Sequence, residues 1–210
     1  MTRNSPNPLN PDQIHRFERT TTEAEDPIRT LTGHFLLRTG LRNTEFNHMR
    51  PGWLSKDNGK VLIEIPEEEE CVSGVGPTGT GNEKQVNLSN RGEPCAKCRN
   101  KSHRDYNRWK VSTPAAIRTI QIASDQQPLV NLLDWWQQGF DFIPLSHQGV
   151  NYHLRLLAEE AGLDRNVTAQ DLRYTHAMNL GKKGYTAPEI MVRLGYSSLE
   201  PARQFTADSE

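Results

Sequence analysis

The chain has 210 residues, 34% of them hydrophobic and 24% charged, with 25 Lys and Arg against 26 Asp and Glu. That length supports one domain with a sizeable core, and the polarity leaves part of the chain as loop or tail. No apolar run approaches the roughly 18 residues of a membrane span, and the start at Met1 lacks the apolar stretch of a signal peptide, so the chain reads as an intracellular protein with no membrane partner, its 3 cysteines serving a metal or remaining free thiols rather than forming a disulfide framework.

Pro6, Pro8 and Pro11, followed by Thr20-Thr21-Thr22, predict a disordered tail or linker remnant over residues 1–25. From Asp26 a helix is expected, with Pro27 in its first turn, Ile28, Leu31 and Phe35 at apolar spacing, and Gly40 at its end. A second short helix starts near Thr44, carries Phe46 and Met49, and stops before Pro51. Val61-Leu62-Ile63-Glu64-Ile65 reads as a strand closed by Pro66. Residues 66–107, rich in Gly, Pro, Asn and charge, form an insertion too long for an ordinary connection; such a loop is functional or held by something.

Two short strands follow, Trp109–Val111 and Arg118–Ile122, joined through Ser112-Thr113-Pro114; with the first they predict a small antiparallel sheet. The remainder is helical in pattern: Asp125 to Gln138, His147 to Ala161 before Gly162, Thr168 to Leu180 before Gly181, Ala187 to Leu194, and a last turn through Ala202. In the second of these, Val150, Leu154, Leu157 and Ala161 make a one-sided apolar stripe that belongs to the core. The expected fold is α+β, mainly helical with a small antiparallel sheet, over residues 26–205, ending in a tail at 206–210.

A net charge of -1 hides an uneven distribution. Residues 91–123 carry Arg91, Lys97, Arg99, Lys101, Arg104, Arg108, Lys110 and Arg118 against Glu93 and Asp105, a block suited to a polyanionic partner. Glu67 to Glu70 form an acidic run that reads as a solvated loop.

Breaking a phosphodiester with a protein nucleophile takes cationic donors on the non-bridging oxygens, a proton donor for the leaving hydroxyl, and an activated attacking oxygen. Guanidinium grips two phosphate oxygens at once. Arg42, in Thr39-Gly40-Leu41-Arg42-Asn43-Thr44-Glu45, and Arg173, in Asp171-Leu172-Arg173-Tyr174-Thr175, are the candidates. Either alone is commonly a surface residue; order and spacing carry the argument.

Those tracts, the strand pair between them, and Leu194-Gly195-Tyr196-Ser197-Ser198 followed by Ala202-Arg203-Gln204-Phe205 resemble the catalytic domain of tyrosine recombinases over residues 27–205. The insertion, with Cys71-Val72-Ser73-Gly74, Pro94-Cys95-Ala96-Lys97-Cys98 and Arg108 to Arg118, is similar to haloarchaeal, hence archaeal, phage-integrase-like proteins. The resemblance implies an active site of two arginines, a strand lysine, a histidine three residues before the second arginine, a histidine or tryptophan after a Leu-Gly pair, and a tyrosine nucleophile. Arg42 and Arg173 match the arginines. Ser112 stands at the lysine position, with Lys110 on the same strand face as a substitute; Gln170 replaces the first histidine, Tyr196 the histidine or tryptophan, and Phe205 the nucleophile. A phenyl ring has no oxygen to attack phosphorus, and loss of the general acid costs on the order of 10²–10⁴ in rate.

Cys95-x2-Cys98, His103 five residues on, and Cys71 upstream supply three sulfurs and an imidazole, the donor number of a tetrahedral structural zinc. The expected function is DNA binding on a recombinase scaffold that cannot cut, with Arg42, Lys110, Arg118 and Arg173 on double-stranded DNA, no required cofactor, and zinc as an option for the insertion. Two alternatives stay open: a recombinase with an inactivating or trapping substitution, working with other recombinase subunits, and a zinc-stabilised protein-interaction module.

Overall fold

The elements of the computed structural model run α1 (Pro11–Glu23), α2 (Pro27–Thr39), α3 (Asn43–His48), β1 (Leu54–Asp57), β2 (Lys60–Ile65), β3 (Glu68–Glu70), β4 (Gly76–Thr78), β5 (Gln85–Asn87), α4 (Ala96–Arg99), β6 (Arg108–Lys110), β7 (Arg118–Ile122), α5 (Gln127–Gly139), α6 (His147–Glu160), α7 (Ala169–Lys182), α8 (Ala187–Leu194) and α9 (Glu200–Arg203). The structure describes residues 6–58, 60–74, 76–78, 85–87, 93–100, 107–123, 126–139 and 141–206. The expected α+β, mainly helical architecture is what these elements build.

Helix α2 is the hub. It packs against α1, α5, α6 and α7, which is why Leu31, Phe35, Leu36 and Leu37 are all buried, while Arg38 on its last turn stays exposed. Asp26 caps its start by accepting from the Ile28 N–H, and Gly40 ends it. The apolar stripe of α6 is in the core as expected, with Val150, Leu154 and Leu157 fully buried.

Part of the region expected to be a disordered tail, residues 1–25, is instead ordered structure. Asn10 and Gln13 close a capping box around Pro11, and Phe17 is driven to full burial while the Thr21 hydroxyl donates to the Phe17 carbonyl at 2.7 Å. The chain before α1 is latched to α7: the Asn7 N–H donates to Asp171 Oδ1 at 2.7 Å and the Leu9 N–H to Thr175 Oγ1 at 2.9 Å.

The main sheet is antiparallel in the order β1-β2-β7, with Val61 opposite Ile122 and Ile65 opposite Arg118. β1 was not expected from the sequence, and β6 does not join β2. It pairs with β3, Glu68 opposite Lys110, because the acidic run meets the basic strand: Glu68 binds both Arg108 and Lys110, and Glu69 accepts from Trp53 Nε1 at 3.1 Å. Of Glu67–Glu70, the last three therefore form a strand, with Glu68 and Glu69 charge-paired, rather than a solvated loop. Two helix bounds also shift: α5 begins at Gln127, and α7 passes through Gly181 to Lys182.

Candidate functional site

Arg42 is the residue that opens α3, and Glu45 on the first turn grips it. Its backbone N–H donates to Glu45 Oε2 at 2.8 Å and one guanidinium nitrogen to Oε1 at 2.6 Å, while the other reaches the Gly195 carbonyl at 2.7 Å. Arg173, one turn into α7 beyond the Thr168–Asp171 capping box, is 2% exposed. It donates to the Gly40 carbonyl at 2.6 Å and, through its second nitrogen, to the Leu194 carbonyl. Two arginines 131 positions apart thus meet on consecutive main-chain oxygens at the end of α8.

Gly195 makes that turn. Its φ is 64°, and a Cβ there would lie 2.8 Å from the Ala115 carbonyl oxygen and 3.0 Å from an Arg118 guanidinium nitrogen. The next residue, Tyr196, lays its ring against Arg173, with Cζ 4.9 Å from the ring centroid. Among the described residues its hydroxyl is buried and has no hydrogen-bond partner.

Burial, with the neighbouring Arg42 charge, brings the Arg173 guanidinium down to about 10, so it stays cationic at neutral pH. Burial pushes the Tyr196 phenol up despite the pull of Arg173, so it is a proton-bearing donor beside two cations. Burial would raise the Glu45 carboxyl as well, but hydrogen bonds and charge from Arg118, then Arg42, outweigh it and hold the group low. Arg118 supplies two of those bonds, at 2.9 and 3.0 Å, and its Nε donates to the Arg193 carbonyl at 2.8 Å.

Arg118 is therefore misplaced among the expected DNA contacts: its side chain is 4% exposed and braces the site from inside. Lys110 is ion-paired with Glu68 at 3.4 Å on the β3–β6 ladder, and Ser112 is exposed in the bend that follows. Gln170 is exposed at the start of α7, three residues before Arg173. Phe205 is 9% exposed and packs edge-on to Tyr174, centroids 5.3 Å apart, in a second apolar cluster that also contains Leu194 and Ala202 and has Tyr196 packed against it. Gly181 seats it closely, since a Cβ on Gly181 would fall 1.6 Å from the Phe205 carbonyl oxygen. Of the basic block, Lys97 and Arg99 are exposed on α4, whereas Arg91, Lys101 and Arg104 lie outside the described residues.

A second constellation lies at the other end of α3. The ligand atoms of His48, Cys71, Cys95 and Cys98 are all within 4.8 Å of one another, a set able to hold a metal ion. His48 Nε2 is 3.5 Å from both Cys95 Sγ and Cys98 Sγ, and its Nδ1 lies 2.8 Å from the Thr44 carbonyl. That second bond keeps a proton on Nδ1, so Nε2 is the nitrogen that faces the sulfurs. The Cys95 N–H points at Cys71 Sγ, 3.3 Å away.

The three expected cysteines converge, and among the described residues the imidazole beside them is that of His48 on α3; His103, the expected fourth ligand, lies outside the described residues. Burial opposes a charge on His48, yet hydrogen bonding and charge at Cys71 and Cys95 prevail and raise it to about 9. Hydrogen bonds from Cys71, then Cys98, push the Cys95 thiol down against its burial, while Cys71, then Cys95, together with burial push Cys98 up. Three crowded sulfurs cannot all ionise without a cation among them.

Residues 7–210 match the phage integrase family. The fold is similar to the crystal structure of XerA recombinase, with 14% identity, a TM-score of 0.64, and coverage of 98% of this chain and 60% of that one. It is similar to the Tn1549 transposon integrase in complex with circular intermediate DNA, with 13% identity, a TM-score of 0.62, and coverage of 100% and 65%. The catalytic domain of bacteriophage HP1 integrase is matched with 13% identity, a TM-score of 0.54, and coverage of 98% and 91%. The chain thus spans about three fifths of the XerA and Tn1549 chains. No curated protein matches it in sequence. Among the described residues, no helix is long and apolar enough to cross a membrane.

Proposed function

The chain belongs to the phage integrase family, and from that premise we propose that it binds double-stranded DNA through a recombinase active site that has lost its cutting chemistry. Arg42, Arg173 and Tyr196 take one backbone phosphate, with Gln170 at the rim and Lys110 beside it. The observation that carries this reading is the Tyr196 hydroxyl, buried without a partner beside two guanidiniums. A phenol donor and two cations ask for an anion, and a buried unpaired hydroxyl is costly until it has an acceptor.

Cleavage is absent because Phe205 offers no attacking oxygen and Ser112 cannot protonate a leaving hydroxyl as a lysine would. The protein works inside the cell on DNA, alongside other recombinase subunits. The His48, Cys71, Cys95 and Cys98 group holds zinc, the ion that a three-sulfur, one-imidazole set prefers. The likeness of the cysteine-bearing insertion to haloarchaeal integrase-like proteins belongs to the same reading.

Two measurements test it. Fluorescence anisotropy on a labelled duplex should show affinity falling with added salt, with Tyr196→Phe weakening binding roughly fivefold, the worth of about one neutral hydrogen bond. A nicked suicide duplex should yield no covalent adduct with the wild type or with Phe205→Tyr, because Ser112 and Gln170 remain. A salt-independent or absent interaction sinks the DNA reading; an adduct sinks the claim of lost chemistry.

A further inference from the structure

Helix α3 has six residues, too short to hold itself together in water; Phe46 and Asn47 seat its middle in the core, and side chains grip each of its ends. At the first end the Glu45 carboxylate is pinned by Arg42 and Arg118. At the last, His48 enters the cysteine cluster, 3% exposed, with its ring stacked on Trp109 at 5.5 Å. Only one helical turn separates Glu45 from His48, and the backbone bond from the Phe46 N–H to the Arg42 carbonyl, 3.0 Å, ties that turn to the arginine.

The cluster itself has the dimensions of a coordination site. With bonds of about 2.0–2.1 Å to nitrogen and about 2.3 Å to sulfur, neighbouring donors of a tetrahedral zinc stand roughly 3.5–3.8 Å apart. His48 Nε2 is 3.5 Å from two sulfurs at once. Nδ1 already has its own partner in Thr44, so Nε2 is the nitrogen left for an ion. Cys71 and Cys98 are 2% and 1% exposed, and Cys95 is half-buried.

Resting on the zinc and DNA readings above, we propose that the metal ion held by His48, Cys71, Cys95 and Cys98 positions Arg42 for phosphate through α3, so that zinc loading and DNA affinity are linked. His48 is a positioning residue: it touches no phosphate and acts by fixing the register of the helix that Arg42 caps. Three of the four ligands come from the insertion and one from the helix, so the ion stitches residues 71–98 to the phosphate clamp.

The experiment measures zinc content, DNA affinity and salt slope on the full chain for wild type, His48→Ala, His48→Cys, Arg42→Ala and the double variant His48→Ala/Arg42→Ala. His48→Ala should lose its one zinc per chain, weaken DNA binding by the same factor as Arg42→Ala, and lower the salt slope by about 0.9, the share of one phosphate. The double variant should be no weaker than either single one. His48→Cys, which keeps four ligands, should restore zinc and affinity together.

If His48→Ala does not fold, stripping the wild type with a chelator and returning Zn²⁺ stepwise replaces it, and affinity must then rise with occupancy up to one ion. Stoichiometric zinc whose removal leaves affinity and slope unchanged overturns the link but leaves the zinc reading standing. Additive losses in the double variant overturn the route through Arg42. No zinc uptake by the wild type overturns both the zinc reading and the link, and loaded wild type that retains no DNA overturns the DNA reading itself.

Discussion

Glu45 accepts four hydrogen bonds from two arginines while almost fully excluded from water, so deleting it strands Arg118 as a buried charge. Glu45→Ala should destabilise the fold by about 3–5 kcal/mol in urea titration. Replacing both partners, as Glu45→Leu with Arg118→Met, should recover much of that loss, because apolar groups of similar volume carry no desolvation penalty. Recovery failing in the double variant would mean that the pair matters for shape rather than for charge. The role of Glu45 was open to reading in Arg42-x-x-Glu45, which is one helical turn, but its partnership with Arg118 was not, since 73 residues separate them. Arg42, Arg173 and Tyr196 were legible because each sits in a short tract with its own spacing. His48 was hidden: its cysteines begin 23 positions later, and no i+3 or i+4 neighbour on its helix is a ligand.

At the scale of elements, α1 shows how composition misleads. Three prolines and three threonines suggested a tail, yet Pro11 occupies a first-turn position that needs no N–H, and Thr21 and Thr22 return their hydroxyls to carbonyls four residues back. The start signal Asn10-x-x-Gln13 lies in the sequence but was not read. Phe17 is the anchor, so Phe17→Ala should cost about 3–5 kcal/mol, read as a lower urea midpoint; a change under 1 kcal/mol would show that α1 contributes little to stability. The β1–β2 hairpin went unread, although Asn58, at φ 48°, precedes a glycine in the sequence, and the β3–β6 ladder was not visible because its register is set by charge across 40 residues rather than by alternation.

For the molecule as a whole, acid should act in two stages. Burial, helped by Arg38, holds His34 down at about 4, and burial with Arg193 and Arg173 nearby holds His176 at about 3. Both folded values lie below the unfolded 6.5, so the unfolded chain takes up protons first. The stability that these two groups confer is complete above pH 6.5 and falls as pH drops from there toward 4, by up to about 1.4 kcal/mol per pH unit for each of them. Glu45, depressed below 4.5, adds its loss only beneath that value. Thermal midpoints followed from pH 7 to 4 check this, and His176→Gln should flatten the first stage; an unchanged slope would remove His176 from it. The arginine frame has a different kind of permanence. Gly40, Leu194 and Gly195 hold it with peptide oxygens, which every residue type carries, so side-chain replacement at those three positions leaves the acceptors in place. The frame is thereby written in the course of the backbone, and only a change that bends the chain at these turns would dismantle it.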